Sequence, residues 1–352
     1  MVVARPRVGR RAPENGVTRV AVVGAGSWGT AVAAIVAGNA STVLWARRAE
    51  LAECINADHE NPDYLAGIAL PEGLRATADL TAACLDADVV VFAVPSHGLR
   101  AVLAEARPHI KATAAIVSLA KGIEQGTLRR MTEVIAEVLA EHDPTRIGVL
   151  TGPNLAREVA AGQPTASVVA VPDAKVADEL QAVFFAPTLR VYTNPDVVGC
   201  EMAGALKNVL AIGAGIADGL GYGDNTKAAL ITRGLAELAR LGVALGGEPL
   251  TFAGLAGMGD LIATCASPQS RNRHVGVEIG RGRALDDVVS EMNMVAEGVK
   301  TTAAVLELAE RHKVEMPLAA FVGRVLYDGA RPAELIPELM MRKAKPELHG
   351  MQ

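Results

Sequence analysis

The sequence predicts an α/β fold in two parts, an N-terminal Rossmann-like doubly wound parallel sheet and a C-terminal all-α domain. Short, continuous runs of Val, Ile, Leu and Ala alternate with helical stretches up to about residue 194. A glycine-rich turn follows the first run, and beyond residue 200 the strand-like runs give way to Ala, Leu and Gly at helical spacing. Strands that are apolar throughout are typical of parallel sheets covered by helices on both faces.

Each predicted strand is one of these apolar runs, and helical material such as "LRRMTEVIAEVLAEH" lies between them. The predicted strands are "RVAVVG", "STVLWA", "DVVVFAV", "AAIVSLA", "RIGVLT", "ASVVAV" and "LRVYT". Turn signals at "GLGYGDN", "LGGEPL" and "ASPQSRN" separate the C-terminal helices. We therefore predict a disordered tail over 1–16, a dinucleotide-binding domain over 17–195, a helical substrate domain over 196–340 and a flexible tail over 341–352.

Composition excludes several classes of function. A formal net charge of −5 gives no basic face for nucleic acid, and 3% aromatic residues are too few for a base-stacking surface. The four cysteines are far apart and lack zinc spacing, so we expect no metal and free thiols in a reducing cytoplasm. The nearly uncharged stretch 20–38 is rich in glycine and short for a membrane span, so we expect none. A homodimer is the assembly we consider.

The turn "GAGSWG" fits the G-x-G-x-x-G pattern, and it follows a predicted strand and opens a predicted helix. In that context Gly24 permits the tight turn, Gly26 lets the backbone approach a pyrophosphate, and Gly29 lets the helix pack close to the sheet. The alternative is a glycine turn that binds no ligand.

The second predicted strand ends without the acidic residue that usually bonds the ribose of NAD. Arg47 and Arg48 occupy that region, and the first acid, Glu50, comes later. Two guanidinium groups suit a 2′-phosphate, so we expect NADPH to be preferred or at least accepted. The alternative is that both arginines are simply solvated.

Polar residues follow two later strands, at the edge where ligands bind in such sheets. Lys121 follows "AAIVSLA", and Gly152 and Asn154 follow "RIGVLT". A lysine at this place is either an anion ligand or an ordinary surface lysine.

The helical part contains charged residues in apolar surroundings. Lys207 is the only lysine in "EMAGALKNVLAIGAGIADG", and burying its ammonium would cost several kcal/mol unless it is paired. Paired and buried, it could donate a proton; the alternative is a side chain that reaches the surface. Asp260 is either a helix N-cap or a partner for a buried cation. The run Ser270, Arg271 and Asn272 suits a phosphate or polyol, or is a solvated turn.

Ten motifs in the same order resemble those of the bacterial-type NAD(P)-dependent glycerol-3-phosphate dehydrogenases, over about residues 18 to 340. They are "GAGSWGTA", "WARR", "NPDYLAG", "FAVPSH", "LAKGIE", "LTGPNLA", "EMAGALKNVLAIGAGI", "GLAGMGDLIATC", "SRNR" and "AEGV". The resemblance implies reversible hydride transfer between NADPH or NADH and dihydroxyacetone phosphate. The product, glycerol 3-phosphate, would enter phospholipid synthesis.

The resemblance also implies roles for individual residues. Lys207 matches the family's catalytic lysine, and Asp260 would orient or tune it. The expected cofactor contacts are Gly24, Gly26, Ser27, Trp28, Gly29, Arg47, Arg48, Tyr64, Lys121, Ala156, Arg271, Val295 and Glu297. The expected substrate contacts are Lys121, Gly152, Asn154, Lys207, Asp260, Ser270, Arg271 and Asn272. The family often has Ser where this chain has Asn154, which leaves that contact open although an amide can donate and accept.

Two other functions remain open at this point. Two-domain β-hydroxyacid or ketopantoate-type dehydrogenases share the predicted fold and a catalytic lysine, but we expect their acidic substrates to need a different surrounding set. A nucleotide-sensing module without catalysis would keep the glycine turn and have no need of Lys207, Asp260 and the "SRN" run together.

Overall fold

The computed structural model describes residues 17–292 and 296–347. The predicted tail over 1–16, the end of the C-terminal tail over 348–352 and Val295 lie outside the described residues. The N-terminal half forms an eight-stranded sheet with the spatial order 3-2-1-4-5-6-7-8. Its strands are β1 (Arg19–Val23), β2 (Ser41–Trp45), β3 (Arg75–Thr77), β4 (Val89–Phe92), β5 (Ala115–Ser118), β6 (Ile147–Thr151), β7 (Thr165–Ala170) and β8 (Leu189–Asn194).

The first six strands form the predicted doubly wound parallel sheet. Strand β1 lies in register between β2 and β4, with Val23 opposite both Trp45 and Phe92. All pairs from β3 to β6 are parallel. The strand order reverses between β1 and β4, and open α/β sheets bind their ligands outside the carboxyl ends of the strands at such a reversal.

The predicted parallel sheet is confirmed from β3 to β6 and for the pair β7 and β8, and one pair, β6 and β7, is antiparallel. The connection between them contains only the short helix Ala156–Ala160. Parallel strands are usually joined by a crossover built around a longer helix. A five-residue helix rises only about 7.5 Å, against about 16 Å for a five-residue strand, and β7 runs back from the carboxyl edge of the sheet, with Thr151 opposite Val168.

Strand β3 was not predicted because its sequence contains no apolar run. It consists of Arg75, Ala76 and Thr77 at the edge of the sheet, where it pairs only with β2. Edge strands need not be buried on both faces, so the periodicity that marks the central strands is absent here.

Helices cover both faces of the sheet and bury its apolar runs. Val32 and Val36 pack with Phe184 in the core on one face, and Leu99 and Ile135 belong to the core on the other. The α-helices of this half are α1 (Ser27–Val36), α2 (Ala49–Asp58), α3 (Leu80–Cys84), α4 (Ser96–Ala106), α5 (Met131–Val138), α6 (Ala156–Ala160) and α7 (Ala174–Phe184), with 3₁₀ turns at Arg107–His109 and Pro144–Arg146.

The C-terminal half is helical and is built around α8 (Val197–Gly219), which is buried along nearly its whole length. A Cβ on Gly276 would lie 2.0 Å from the carbonyl oxygen of Ile212, so the helix that carries Gly276 packs directly on α8. The other helices are α9 (Asp224–Ala244), α10 (Pro249–Ala253), α11 (Asp260–Ala266), α12 (Arg271–Gly280), α13 (Leu285–Ser290), α14 (Glu297–Arg311), α15 (Pro317–Tyr327) and α16 (Pro332–Met340), with a π-helical turn at Leu255–Gly259.

Helix α8 also brings the two halves together. A Cβ on Gly204 would lie 3.1 Å from the hydroxyl of Thr151 at the end of β6 and 3.5 Å from Cγ of Lys121. The residues that follow Gly204 on α8 therefore lie beside the carboxyl edge of the sheet.

One helix in the described part of the chain is long and apolar enough to cross a membrane. It is α8, with a mean hydropathy of 1.3 over its most apolar window, of which 89% is buried inside the structure. The core helix of a folded domain has the same character, so its composition is weak evidence for a membrane span.

Candidate active site

The glycine turn after β1 leaves open space at the N-terminus of α1. Gly24 has a φ of 123°, and a Cβ on it would lie 2.9 Å from the carbonyl group of Ala93 at the end of β4. A Cβ on Gly29 would lie 2.0 Å from the carbonyl oxygen of Gly24, so α1 packs directly on the turn. A Cβ on Gly26, by contrast, would have no neighbour within 4 Å. An open space at this position, beside a helix N-terminus at the strand-order reversal, fits the pyrophosphate of a dinucleotide.

Four of the predicted cofactor contacts, Ser27, Trp28, Tyr64 and Ala156, lie around this turn. Ser27 donates a hydrogen bond of 2.7 Å from its hydroxyl to the carbonyl oxygen of Tyr64. Trp28 is half-buried and packs against the core of the sheet. Its indole Nε1 is buried without a hydrogen-bond partner in the described part of the chain. Ala156 is the first residue of α6, which packs beside α1.

The two arginines after β2 differ in their surroundings. Arg48 forms an ion pair with Asp63, and this hydrogen bond raises the pKa of its guanidinium. Arg47 is exposed and has no carboxylate partner among the described residues. Unlike Arg48, Arg47 therefore has its guanidinium N–H groups available for a ligand at this end of the sheet.

Lys207 on α8 is 5% exposed, so its charge is buried. Its Nζ lies 2.8 Å from Oδ1 of Asp260 and donates a 2.5 Å hydrogen bond to the hydroxyl of Thr264. Asp260 is itself buried, and the residue at the N-cap of α11 is Gly259. The structure thus favours the paired, buried lysine over one that reaches the surface, and it makes Asp260 a partner of cations rather than a helix cap.

Asp260 also pairs with a second lysine from the other half of the chain. Nζ of Lys121 lies 2.7 Å from Oδ2 of Asp260 and donates to Oδ1 of Asn154 at 2.8 Å and to the carbonyl oxygen of Gly152 at 3.1 Å. Burial lowers the pKa of Lys121 to about 8, although the carboxylate of Asp260 opposes that shift. The charge of Lys207 lowers the Lys121 pKa further. One carboxylate therefore bridges two amines at the carboxyl edge of the sheet.

The amide of Asn154 is only half used in this cluster. Its oxygen accepts from Lys121, but its buried Nδ2 finds no acceptor among the described residues. A buried donor without a partner is costly, so this nitrogen is available for an acceptor group of a ligand.

Two residues of the predicted polar run are buried and bonded within the chain. The hydroxyl of Ser270 caps α12 by accepting from the backbone N–H of Arg273 at 3.2 Å. Asn272 donates to Oδ1 of Asn208 at 2.9 Å and accepts from the N–H of Gly298, also at 2.9 Å. This run is therefore not a solvated turn.

Asn208 continues this chain of amide groups to the sheet. Its Nδ2 donates to the carbonyl oxygen of Lys121 at 2.9 Å. The amides of Asn208 and Asn272 thus join the end of β5 to α8, α12 and the start of α14.

Arg271 differs from its two neighbours because its side chain has access to solvent. It forms no hydrogen bond or ion pair with the described residues, and desolvation by the surrounding protein lowers the pKa of its guanidinium. Glu297 acts in the opposite direction through its charge. A side chain that lines an open cleft has this combination of solvent access and partial desolvation.

Glu297 closes the N-terminus of α14 onto the sheet. One carboxylate oxygen accepts from the backbone N–H of Ser96 at 2.8 Å, and the other accepts from that of Lys121 at 3.2 Å. Both oxygens of this predicted cofactor contact therefore also hold the carboxyl ends of β4 and β5 in place.

The structure brings Lys121, Gly152, Asn154, Lys207 and Asp260 into one cluster. Sequence reasoning missed Thr264 and Asn208, which contact the two lysines of that cluster. Both had a signal in the sequence. Thr264 is four residues after Asp260 and so shares its helix face, and Asn208 is a second polar residue in the apolar run around Lys207.

Across residues 17–292 and 296–347, no group of three or more His, Cys, Asp or Glu side chains could hold a metal ion. The four cysteines are not in disulfides, and burial raises the pKa of the Cys265 thiol to about 12.

Comparisons with known proteins cover both halves of the chain. The family model for the N-terminus of NAD-dependent glycerol-3-phosphate dehydrogenase matches residues 19–177, and the model for its C-terminus matches residues 196–337. A glycerol-3-phosphate dehydrogenase (NAD(P)+) of Sphingopyxis alaskensis is 54% identical over 94% of this chain and 98% of its own length. One of Streptomyces coelicolor is 53% identical with the same coverage.

A solved structure extends the similarity to three dimensions. The crystal structure of glycerol-3-phosphate dehydrogenase from Coxiella burnetii matches with a TM-score of 0.88 and 38% identity, over 93% of this chain and 99% of that one. The similarity therefore includes both the sheet and the helical half that contribute to the lysine cluster.

Proposed function

Because the chain belongs to the NAD-dependent glycerol-3-phosphate dehydrogenase family, we propose that it reduces dihydroxyacetone phosphate reversibly to glycerol 3-phosphate. The observation that carries this proposal is the buried cluster in which Asp260 bridges Lys207 and Lys121. Such a cluster offers a positive, water-poor place for an oxygen that gains negative charge.

Bound NADPH or NADH would supply the hydride, and the space in front of Gly26 fits the pyrophosphate of either cofactor. Arg47, without a carboxylate partner in the described part of the chain, is suited to the 2′-phosphate of NADPH. Arg48 is held by Asp63 and is the weaker candidate for that contact.

Lys207 is the proposed proton donor. As the carbonyl carbon is reduced, its oxygen becomes an alkoxide, and the ammonium of Lys207 stabilises this charge and transfers one proton to it. The hydroxyl of the product and a neutral amine result, so charge and atoms balance. Asp260 and Thr264 fix the position of the amine, and in the oxidative direction the neutral amine takes the proton back.

Two cations are available for the rest of the substrate. Arg271 is the better candidate for the phosphate, since it lines the cleft without a hydrogen-bonded carboxylate in the described residues. Lys121 is already held by Asp260, and with the free Nδ2 of Asn154 it suits the neutral hydroxyl and carbonyl oxygens. Ser270 and Asn272 are hydrogen-bonded within the chain, so they position Arg271 and do not compete with it for the phosphate.

The direct test is NADPH oxidation by purified protein on addition of dihydroxyacetone phosphate, with ketopantoate and β-hydroxyacid substrates in parallel. We expect turnover with dihydroxyacetone phosphate alone. Turnover with the acids and none with the phosphate would favour the ketopantoate-type alternative, and cofactor binding without any turnover would favour a nucleotide sensor.

We also propose a cytoplasmic location, because free cysteines suit a reducing compartment. The product would then be available for phospholipid synthesis. The homodimer considered from the sequence stays a proposal, and analytical ultracentrifugation of the purified protein would test it.

A further inference from the structure

The loop between α2 and β3 contains the motif "NPDYLAG", residues 61–67, in which Tyr64 is an expected cofactor contact and Asp63 pairs with Arg48. Asn61 in this loop is fully buried, although its side chain is polar. Buried amides are normally hydrogen-bonded, so the partners of Asn61 indicate what the residue does.

Those partners lie at the glycine turn, on helix α1 or in the loop that carries Asn61. Its Nδ2 donates to the carbonyl oxygen of Ala25 at 2.9 Å and to the hydroxyl of Thr30 at 2.8 Å. Its Oδ1 accepts from the backbone N–H of Tyr64 at 3.2 Å. Both N–H bonds of the amide are thus directed at the turn and the first helix, which are 36 and 31 residues away in the chain.

The bond to Ala25 fixes one peptide plane of the turn. In a trans peptide the carbonyl of one residue and the N–H of the next point in opposite directions. No cis peptide bond occurs in the described part of the chain. Because Asn61 holds the carbonyl of Ala25 on its own side, the N–H of Gly26 points away from Asn61.

Rotation of this peptide would have a large effect on an anionic ligand. Gly26 has no side chain to resist rotation, and the space next to it is open. A rotated peptide would present the partial negative charge of a carbonyl oxygen where a pyrophosphate needs N–H donors. Holding the peptide in advance avoids the cost of ordering it when the ligand binds.

We propose that Asn61 is a positioning residue for the cofactor, which presets the Ala25–Gly26 peptide to receive the pyrophosphate group. The inference rests on the proposed function because it takes the ligand of the turn to be NADPH or NADH. Both cofactors contain the same pyrophosphate, so Asn61 acts on both equally and does not select between them.

The test is the Kd of purified protein for NADPH and for NADH, measured by the change in nicotinamide fluorescence, in the variant Asn61→Asp. The introduced carboxylate has nearly the same shape and still accepts from Tyr64, but it cannot donate to Ala25. We expect both Kd values to rise about tenfold or more, which corresponds to about 1.4 kcal/mol, with their ratio unchanged. We expect kcat at saturating cofactor to stay close to that of the wild type.

Acid should partly rescue this variant. A buried carboxyl group has a raised pKa, and in its protonated form it regains an O–H that can donate to Ala25. The ratio of the variant Kd to the wild-type Kd should therefore fall as the pH is lowered from about 8 to about 5.5. A residue that only stabilises the fold would not show this recovery of affinity.

Asn56→Asp is the control for the pattern of hydrogen bonds, at a site that is exposed whereas Asn61 is buried. Asn56 on α2 likewise donates to a carbonyl oxygen, that of Ala76, and accepts from the N–H of the same residue, each at 2.8 Å. It contacts the edge strand β3 and not the glycine turn. We expect its substitution to lower the melting temperature while leaving both cofactor Kd values unchanged.

The outcomes separate this inference from the proposed function. Unchanged Kd values in folded Asn61→Asp, or an equal rise in Asn56→Asp, would overturn the role of Asn61 and leave the reaction untouched. A wild-type protein that binds neither cofactor would overturn both. If Asn61→Asp does not fold, Thr30→Val removes only the second acceptor, and a Kd increase there as large as tenfold would contradict the importance of the Ala25 bond.

Discussion

Replacement of Asp260 by Asn tests the cluster in which Asp260 bridges Lys121 and Lys207. The substitution keeps the size of the side chain but removes the charge that lies 2.8 Å from Lys207 and 2.7 Å from Lys121. Asp260 is 2% exposed and Lys207 is 5% exposed, so both ammonium groups would lose their partner in poorly solvated surroundings. Breaking a buried pair in this way costs about 3–5 kcal/mol.

That magnitude sets two expected results. The free energy of unfolding at pH 7, measured by urea denaturation, should fall by about 3–5 kcal/mol. If the transition state loses the same interaction, kcat/KM for dihydroxyacetone phosphate should fall by roughly 10²- to 10⁴-fold.

The loss of stability should also depend on pH. Asp260 raises the pKa of Lys121, so its removal lowers that pKa further below about 8. A lysine whose pKa in the folded protein is below its unfolded value destabilises the fold while it is protonated, and the cost is relieved as the pH rises. The deficit of Asp260→Asn should therefore be smaller above about pH 8, where Lys121 is neutral with or without Asp260, than at pH 7.

Asp63→Asn is the matched control for stability, because it makes the same substitution in the exposed ion pair with Arg48. Exposed pairs contribute little, so we expect no measurable change in unfolding. If Asp260→Asn were as stable as Asp63→Asn at pH 7 and kept normal kcat/KM, the bridging role of Asp260 would be refuted.

Three further predictions concern the substrate and the cofactor. Arg271→Ala should raise the KM for dihydroxyacetone phosphate at least about tenfold with a smaller effect on cofactor KM, and an unchanged substrate KM would contradict the phosphate contact. Substrate KM in the wild type should rise as the pH passes above about 8, where Lys121 loses its charge; a KM that is flat to about pH 9.5 would argue against that contact. Arg47→Ala should weaken NADPH binding more than Arg48→Ala does, because Asp63 already holds Arg48, and equal losses would show that the ion pair does not matter.

The sequence predicted those parts of the fold whose signal is local. Strands β1, β4, β5 and β6 are buried on both faces, so their apolar runs were sufficient to find them. The direction of β7 depends on how far helix α6 carries the chain, and three-residue β3 has no periodicity to detect. Both are properties of the chain path and not of local composition.

The same distinction applies to the site. Lys207 was detectable because it interrupts an apolar helix, and the glycine turn was detectable because it follows a predicted strand and opens a predicted helix. The sequence did not indicate that Lys121, 139 residues before Asp260, shares its carboxylate. It also did not show that Asn61 reaches the glycine turn, since its hydrogen bonds form only when the loop between α2 and β3 packs against that turn.

Lys207→Met removes the proposed proton donor, since methionine retains much of the side-chain volume without the amine. NADPH oxidation should be followed with saturating dihydroxyacetone phosphate in this variant and in the wild type, after nicotinamide fluorescence has established cofactor binding in both. We expect near-normal NADPH affinity with turnover reduced by about three orders of magnitude or more. Turnover within about tenfold of the wild type would show that another group delivers the proton.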